Sequence, residues 1–294
     1  MRLYYGLAAL LLVAAACHQQ PTETTAPPAP PPPVAVAPAA TVAQRLSPIL
    51  SGCWVAATYL AAVAHTRSPE KAASNTPDPV ALVIPPFASQ LDSVEIGAVY
   101  GLHEGGSLML LLKPPAEHDA LKIRPDYSDK PGTFRSLSYR LAAGDTTVLI
   151  SSYNRKTHRL LSQITYQRTG SQAVPNNLEM AVNRGVNKLL LARQYRGTDS
   201  LGQPVQARFS LDGVVTGLPF KKYAAQVDFA GPNPGNAIIF DVYTKQQQQL
   251  AASFGRDTLK LYTIYSDFGI PPGATDTTEI FTRGRLRYQL IRVP

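Results

Sequence analysis

This chain is short of cysteine and of charge. Its 294 residues include only two cysteines, Cys17 and Cys53, which excludes the disulfide-rich class of small domains and leaves the fold dependent on a hydrophobic core. Charged residues make up 16% of the chain, and no run of five like charges occurs although the formal net charge is +8. Scattered basic residues argue against nucleic-acid binding. Cys53 lies among alanine, tryptophan and valine, so we expect it to be a small buried apolar residue and not a reactive thiol.

Catalytic motifs are also scarce. No Gly-x-Ser-x-Gly sequence and no phosphate-cradling glycine loop occurs. Residues 68–71, Ser-Pro-Glu-Lys, match the Ser-x-x-Lys pattern of penicillin-binding enzymes, but the proline and the strand-rich surroundings favour coincidence. Residues 117–119, Glu-His-Asp, are of types that bind metals, but adjacent residues seldom converge on one ion without further ligands elsewhere in the chain. We therefore interpret them as charged residues of a solvated loop. We therefore expect no enzyme activity, no metal and no cofactor.

The first seventeen residues carry the clearest signal of the chain. Arg2 precedes an apolar run over residues 3–13, then three alanines, then Cys17. The apolar stretch of fourteen residues is shorter than the roughly 20 that a spanning helix needs. The small residues before Cys17 resemble a bacterial lipobox. The pattern predicts a signal peptide over residues 1–16, cleavage before Cys17 and a lipid such as palmitate on Cys17; ordinary signal cleavage is the alternative.

A tether is expected to follow over residues 17–44. Prolines crowd residues 21–40, and because proline fixes φ and lacks an amide donor, this run favours polyproline II. At about 3.1 Å per residue it would hold a folded domain well above a lipid surface. A Pro-x-x-Pro ligand for a partner domain is the alternative.

The anchor also suggests a location. The residue after Cys17 is His18, whereas the lipoproteins that this lipobox resembles are retained at the inner membrane by an aspartate there. No acidic cluster for surface display follows. We therefore expect an outer-membrane lipoprotein that faces the periplasm.

The folded part is predicted to begin with a single helix. Ser47 and Pro48 form a good helix start, and the segment continues through Trp54 and Tyr59 to Pro69. Residues 46–64 lack charge, which raises a transmembrane alternative, but small and polar residues dilute the stretch. A helix that caps a sheet core is preferred.

From residue 80 onward the sequence alternates apolar and polar positions, as half-buried strands do. About twelve strands separated by short turns predict a mainly β fold, an antiparallel barrel or sandwich. We expect one β-rich domain over residues 45–294, or two halves, 45–175 and 176–294. The predicted strands cover residues 94–102, 108–112, 134–141, 146–152, 159–167, 188–196, 205–211, 223–229, 237–243, 258–265 and 285–293, with a short helix over 177–184.

One family resemblance rests on these segments. Gly52-Cys53-Trp54, then Tyr59 and residues 67–69, resemble the opening of lipocalin-like lipoproteins of Bacteroidetes-type bacteria, and residues 205–229 are similar too. In lipocalins a tryptophan of a Gly-x-Trp element closes one end of the barrel. The resemblance implies an envelope protein whose barrel binds a ligand; the extra strands imply inserted hairpins or a second half-barrel.

Two groups of residues are candidates for binding. The first is a row of arginines at every second position that could bind a phosphate or carboxylate group: Arg283, Arg285 and Arg287. The other group is mainly aromatic and lies on apolar strand faces, where it could line a cavity with polar handles or simply fill the core. It comprises Trp54, Tyr59, Tyr100, Tyr139, Tyr166, Phe209 and Tyr223, with Arg67 at the helix end.

Three hypotheses follow. The first is noncovalent binding of a small hydrophobic or amphiphilic ligand inside the barrel, next to a membrane reached through Cys17. The second is a structural or assembly partner of another outer-membrane protein. The third, an enzyme such as a hydrolase, is least favoured because no nucleophile, base and orienting group can be named together.

Overall fold

The computed structural model describes residues 41–88, 90–113, 120–125, 130–142, 145–170, 178–270 and 276–294. The predicted signal peptide, the lipidation site Cys17 and nearly all of the tether lie outside these residues, as do residues 117–119. Residues 40–294 form one compact unit.

The predicted single helix is wrong, because a strand divides it. Helix α1, Val42–Leu50, begins within the predicted tether, where Thr41 and Gln44 form a reciprocal capping box. Strand β1, Gly52–Ala56, follows and is buried on both faces, which explains why its sequence shows no strand-like alternation. Helices α2, Ala57–Thr66, and α3, Pro69–Ala73, come next. Trp54 therefore lies on a strand.

Eight antiparallel strands form a closed barrel in chain order. The prediction of a mainly β chain with a lipocalin-like barrel is confirmed. The barrel closes where β1 pairs with β8, from Cys53 opposite Gly170 to Ala56 opposite Tyr166. After β1, its strands are β2 Ala81–Ile84, β3 Ser93–Tyr100, β4 Glu104–Leu111, β5 Leu121–Ile123, β6 Thr133–Ala142, β7 Asp145–Asn154 and β8 Leu160–Gly170.

The inner face of the barrel can be followed through paired residues. Residues directly opposite in antiparallel strands share a face. Large buried side chains occupy one such face from strand to strand, whereas Glu95 and Lys122 on the other face are exposed. The inner series includes Trp54, Leu82, Ile96, Leu110, Leu121 and Tyr166, all fully buried.

A helix connects the barrel to a second sheet. Helix α4, Leu178–Val186, packs on β1, β2, β3 and β8 and continues into a π-helical turn, Asn187–Leu191. The short helix predicted over residues 177–184 is thus confirmed. The strand predicted over residues 188–196 is wrong in its first part, because it begins only at Gln194. Leu190 and Leu191 are buried apolar residues, and a short apolar run of this kind does not distinguish a helical turn from a strand.

The second sheet also has eight strands. They are β9 Gln194–Asp199, β10 Pro204–Phe209, β11 Val215–Thr216, β12 Tyr223–Ala225, β13 Ala237–Phe240, β14 Gln248–Phe254, β15 Thr258–Gly269 and β16 Thr278–Arg292. Their order in the sheet is β11-β10-β9-β16-β15-β14-β13-β12. With the barrel they make sixteen strands in the described residues, against about twelve predicted. Three of the unpredicted strands, β5, β11 and β14, are short or rich in glutamine.

The two edges of this second sheet, β11 and β12, meet at what we call the seam, residues 213–215 and 221–223. An isolated bridge joins Val214 to Lys222. Two hydrogen bonds flank it: the Val215 amide donates to the Lys221 carbonyl (3.0 Å) and the Tyr223 amide to the Gly213 carbonyl (2.7 Å). The second sheet thus approaches closure without a continuous ladder.

Strands β15 and β16 extend past their neighbours. Pairing of β14 with β15 ends at Tyr262, and pairing of β9 with β16 begins at Tyr288. Beyond these points β15 and β16 pair only with each other, as far as Gly269 opposite Thr278. We call this projecting part the ribbon, residues 263–269 and 278–286.

Candidate functional site

The aromatic residues predicted to form one binding site fall into separate places. Four of them share the inner face of the barrel: Trp54, Tyr100, Tyr139 and Tyr166. Tyr59 lies on α2, and Arg67 follows the end of that helix. Phe209 and Tyr223 belong to the second sheet, where their rings meet edge to face with centroids 5.0 Å apart.

Inside the barrel, Trp54 and Tyr166 already have backbone hydrogen-bond partners. The Trp54 indole Nε1 donates to the Leu50 carbonyl at 2.7 Å, and the Arg168 guanidinium lies 4.6 Å from the ring centroid. The Tyr166 hydroxyl donates to the Pro79 carbonyl at 2.8 Å, and burial raises the pKa of this phenol. These contacts are those of core residues that stabilise the fold.

A pocket opens instead at the seam of the second sheet. Its volume is about 200 Å³, somewhat larger than a cavity of about 150 Å³ that holds benzene. One wall is formed by α4 and the π-helical turn, and the other by the seam and the residues after β13. Of the sequence-predicted site residues only Tyr223 lines it. Leu211 and Val242 add apolar surface.

Two buried polar atoms in the lining of this pocket have no hydrogen-bond partner among the described residues. Asn187 is 2% exposed; its Nδ2 donates to the Leu211 carbonyl at 3.1 Å, but its Oδ1 accepts nothing. The Nε of Arg184 is likewise unpaired, although its Nη2 lies 2.8 Å from the Asp212 carboxylate. Because buried polar atoms are nearly always paired, both atoms favour a bound partner.

The charges around the pocket favour an anion. Arg184 and Lys222 are cationic, and Asp212 carries the single carboxylate of the lining. Since Asp212 already pairs with Arg184, Lys222 is left to balance the charge of a ligand. An apolar surface with one surplus cation suits a small amphiphile with an anionic group.

Asp241 positions the seam strand that carries Lys222. Its carboxylate accepts the Lys221 and Lys222 amides at 2.9 and 3.1 Å, while its own amide donates to the Lys222 carbonyl. These backbone hydrogen bonds lower the pKa of the Asp241 carboxyl group. Asp241 has a positive φ of 46°, a conformation that aspartate tolerates better than most residues.

A second hollow lies between the barrel and β12–β13. Its volume is about 270 Å³, and His103, Glu104 and Gln226 are among its lining residues. None of the described side chains that line it has a buried atom without a partner. It therefore lacks the unsatisfied polar atoms that distinguish the seam pocket.

The remaining motifs have structural roles. Ser68 caps α3, because its Oγ accepts the Lys71 amide at 3.1 Å, and this explains the Ser-x-x-Lys pattern. Within the described residues no group of three or more metal-ligating side chains occurs. Of the arginine row, Arg283 lies over the Tyr262 ring at 4.9 Å. No helix in the described part of the chain is long and apolar enough to span a membrane.

Comparisons with known proteins provide no relative. No protein-family model, no curated protein and no solved structure matches this chain. The class that the fold defines is therefore a mainly β protein with a closed eight-stranded barrel and a second eight-stranded sheet.

Sequence reasoning missed most of the seam pocket. Arg184 and Asn187 were interpreted as parts of a short helix and its end, and Asp212 and Gly213 as a turn. The available sequence signal was a pair of polar residues, Arg184 and Asn187, spaced three positions apart at the end of the predicted helix. Their burial depends on a sheet edge that approaches from residues 213–223, and the local pattern does not reveal that.

Proposed function

We propose that this protein is a membrane-anchored envelope lipoprotein that binds a small anionic amphiphile noncovalently in the seam pocket. The observation that carries the binding proposal is the unpartnered Nε donor of Arg184, buried in the wall of an apolar pocket that also contains Lys222. The inner aromatic residues of the barrel remain in this proposal as the rigid core on which α4 is held.

Octanoate is a suitable probe because it joins a carboxylate to a short alkyl chain. We expect calorimetric titration to detect binding to the wild-type protein. Lys222→Gln should weaken it by about tenfold, the effect of one lost charge-assisted hydrogen bond. Lys221→Gln is the matched control, since Lys221 is exposed and outside the pocket lining. Equal affinities for the two variants, or no binding to the wild type, would contradict the site.

The anchor proposal has its own test. The burial of the second cysteine, Cys53, in β1 supports the proposal that Cys17 is the acylation site. Metabolic labelling with a palmitate analogue should mark the wild-type protein in the outer-membrane fraction, and Cys17→Ser should abolish the label. Label that persists on the Cys17→Ser protein would refute the anchor.

A second candidate function, assembly with a second copy of the chain, is favoured by the ribbon. Phe268 is 74% exposed and Tyr265 55%. Asp267 and Glu279 lie towards the far end of the ribbon, and Arg285 lies nearer the sheet. Two ribbons packed antiparallel would cover the apolar side chains and bring each acidic end to the partner's arginines, as a two-fold interface requires.

Sedimentation velocity can test this assembly with a charge swap. Glu279→Arg and Arg285→Glu should each produce a monomer, and the double variant should restore the dimer. A wild-type protein that stays monomeric at high concentration would exclude the interface.

A further inference from the structure

A cluster of four arginines lies away from the seam pocket, at the end of the second sheet near α2. Arg67 follows α2, Arg193 precedes β9, Arg256 occupies the turn between β14 and β15, and Arg292 ends β16. All four line one small hollow, whose single carboxylate is Asp257. The four elements come from distant parts of the chain, so folding concentrates this positive charge.

Two of the four guanidinium groups are held by backbone carbonyls. Arg67 Nη2 donates to the Arg256 carbonyl at 3.2 Å, and Arg193 Nη1 donates to the Ala192 carbonyl at 2.6 Å. Within the part of the chain that the structure describes, no carboxylate forms an ion pair with any of the four. The positive charges are therefore oriented and not neutralised.

One donor of the cluster is buried and unsatisfied. The Nε of Arg67 has almost no accessible surface and no hydrogen-bond partner in the described residues. The Tyr195 hydroxyl, which belongs to the same hollow, donates to the carbonyls of Leu190 and Leu191. Burial raises the pKa of Tyr195 to about 12, although the charges of Arg193, Arg292 and Arg67 lower it, so the phenol stays neutral near pH 7.

We propose that this arginine cluster binds a phosphate group, carried either by free phosphate or by a lipid headgroup. Planar guanidinium groups bind phosphate oxygens through paired hydrogen bonds, and four of them exceed the single Asp257 charge by three. The hollow itself, about 20 Å³, has room for about one water molecule. The phosphate therefore binds at its mouth, where Arg256 and Arg292 are exposed.

Titration of the full-length Cys17→Ser chain with inorganic phosphate tests the site without the lipid anchor. We expect the Arg256→Gln/Arg292→Gln variant to lose affinity by about tenfold or more, the effect of losing charge-assisted hydrogen bonds. Both side chains are exposed, so the variant should keep the melting temperature of the parent. Arg140→Gln, an exposed arginine of the barrel, is the matched control.

A second variant and a second ligand source complete the test. Arg67→Lys keeps the charge but removes the guanidinium whose Nη2 donates to the Arg256 carbonyl, so it should weaken phosphate binding while Arg140→Gln does not. Co-sedimentation with phosphatidylglycerol vesicles, compared with vesicles of neutral lipid, separates the sources. If the protein binds phosphatidylglycerol vesicles but not inorganic phosphate, and the double variant loses that binding, the site is assigned to lipid phosphate. Binding of inorganic phosphate assigns it to free phosphate. Equal binding by the double variant and Arg140→Gln, or no binding of either ligand, would overturn the proposal.

Discussion

The first barrel and the second sheet have equal numbers of strands but close differently. In the barrel, β1 pairs with β8 from Cys53 to Ala56, and the inner residues Trp54 and Tyr166 hydrogen-bond to the backbone. In the second sheet, one bridge and two flanking hydrogen bonds join the edges. The candidate pocket lies at that incomplete closure. The comparison indicates that an apolar pocket opens beside the shorter closure. Buried polar atoms without partners occur beside both, at Arg168 Nε in the barrel and at Arg184 Nε and Asn187 Oδ1 at the seam.

The largest expected effect is on the barrel. Trp54→Ala removes a fully buried ring together with its hydrogen bond to Leu50. We expect a loss of about 3–5 kcal/mol in the free energy of unfolding. Urea denaturation measures it. Leu141→Ala, at an exposed barrel position, should change stability by less than about 0.5 kcal/mol. A small loss for Trp54→Ala would mean that the barrel interior is not packed.

A smaller effect should follow from strain at the seam. Gly213 has a φ of 78°, and an added Cβ would lie 2.6 Å from the Tyr223 carbonyl oxygen. Gly213→Ala should therefore cost about 1–3 kcal/mol and weaken octanoate binding. Gly202→Ala is the control, because Gly202 has nearly the same φ of 77° but no atom near the added Cβ. If both variants lose equal stability, the close contact at the seam contributes nothing.

These two sites also show what the sequence can predict. Five barrel strands, β3, β4, β6, β7 and β8, followed from alternation such as that of Val94, Ile96 and Ala98 and from short turns. Strands β1 and β2 did not, since both of their faces are buried, and the three-residue strand β5 is too short to show a period.

The candidate site was less predictable than the fold. Tyr223 was named as a binding residue from an apolar strand face, and it does line the pocket. Asn187 and Asp241 were not named. Their roles depend on a helical turn and a sheet edge that are distant in sequence, and on the positive φ of Asp241, which no periodicity records.

A third prediction concerns one hydrogen bond at the seam. The Tyr223 hydroxyl donates to the Ser210 carbonyl. Tyr223→Phe keeps the ring packing and should lower the free energy of unfolding by about 0.5–1.5 kcal/mol. Tyr265→Phe, on the exposed ribbon, should leave stability unchanged. Chemical denaturation measures the free energy of unfolding of both variants. Equal values would show that the Tyr223 hydrogen bond does not stabilise the seam.

A fourth effect on stability should appear only in alkaline solution. Burial raises the pKa of Tyr195 to about 12, above the value of about 10 for an unfolded tyrosine. Stability from this group is complete below pH 10 and falls as the pH rises from 10 towards 12, because only the unfolded chain then releases the proton. Tyr195→Phe should make the decline of the melting temperature over that interval shallower. An unchanged decline would contradict the assignment.

Hydrogen–deuterium exchange with and without octanoate tests the central claim most directly, because it compares the two closures in one experiment. We predict that octanoate slows exchange of the Val215 and Tyr223 amides at the seam and leaves the β1–β8 amides unchanged. Slower exchange confined to the barrel strands, or no change anywhere, would contradict a ligand site at the seam.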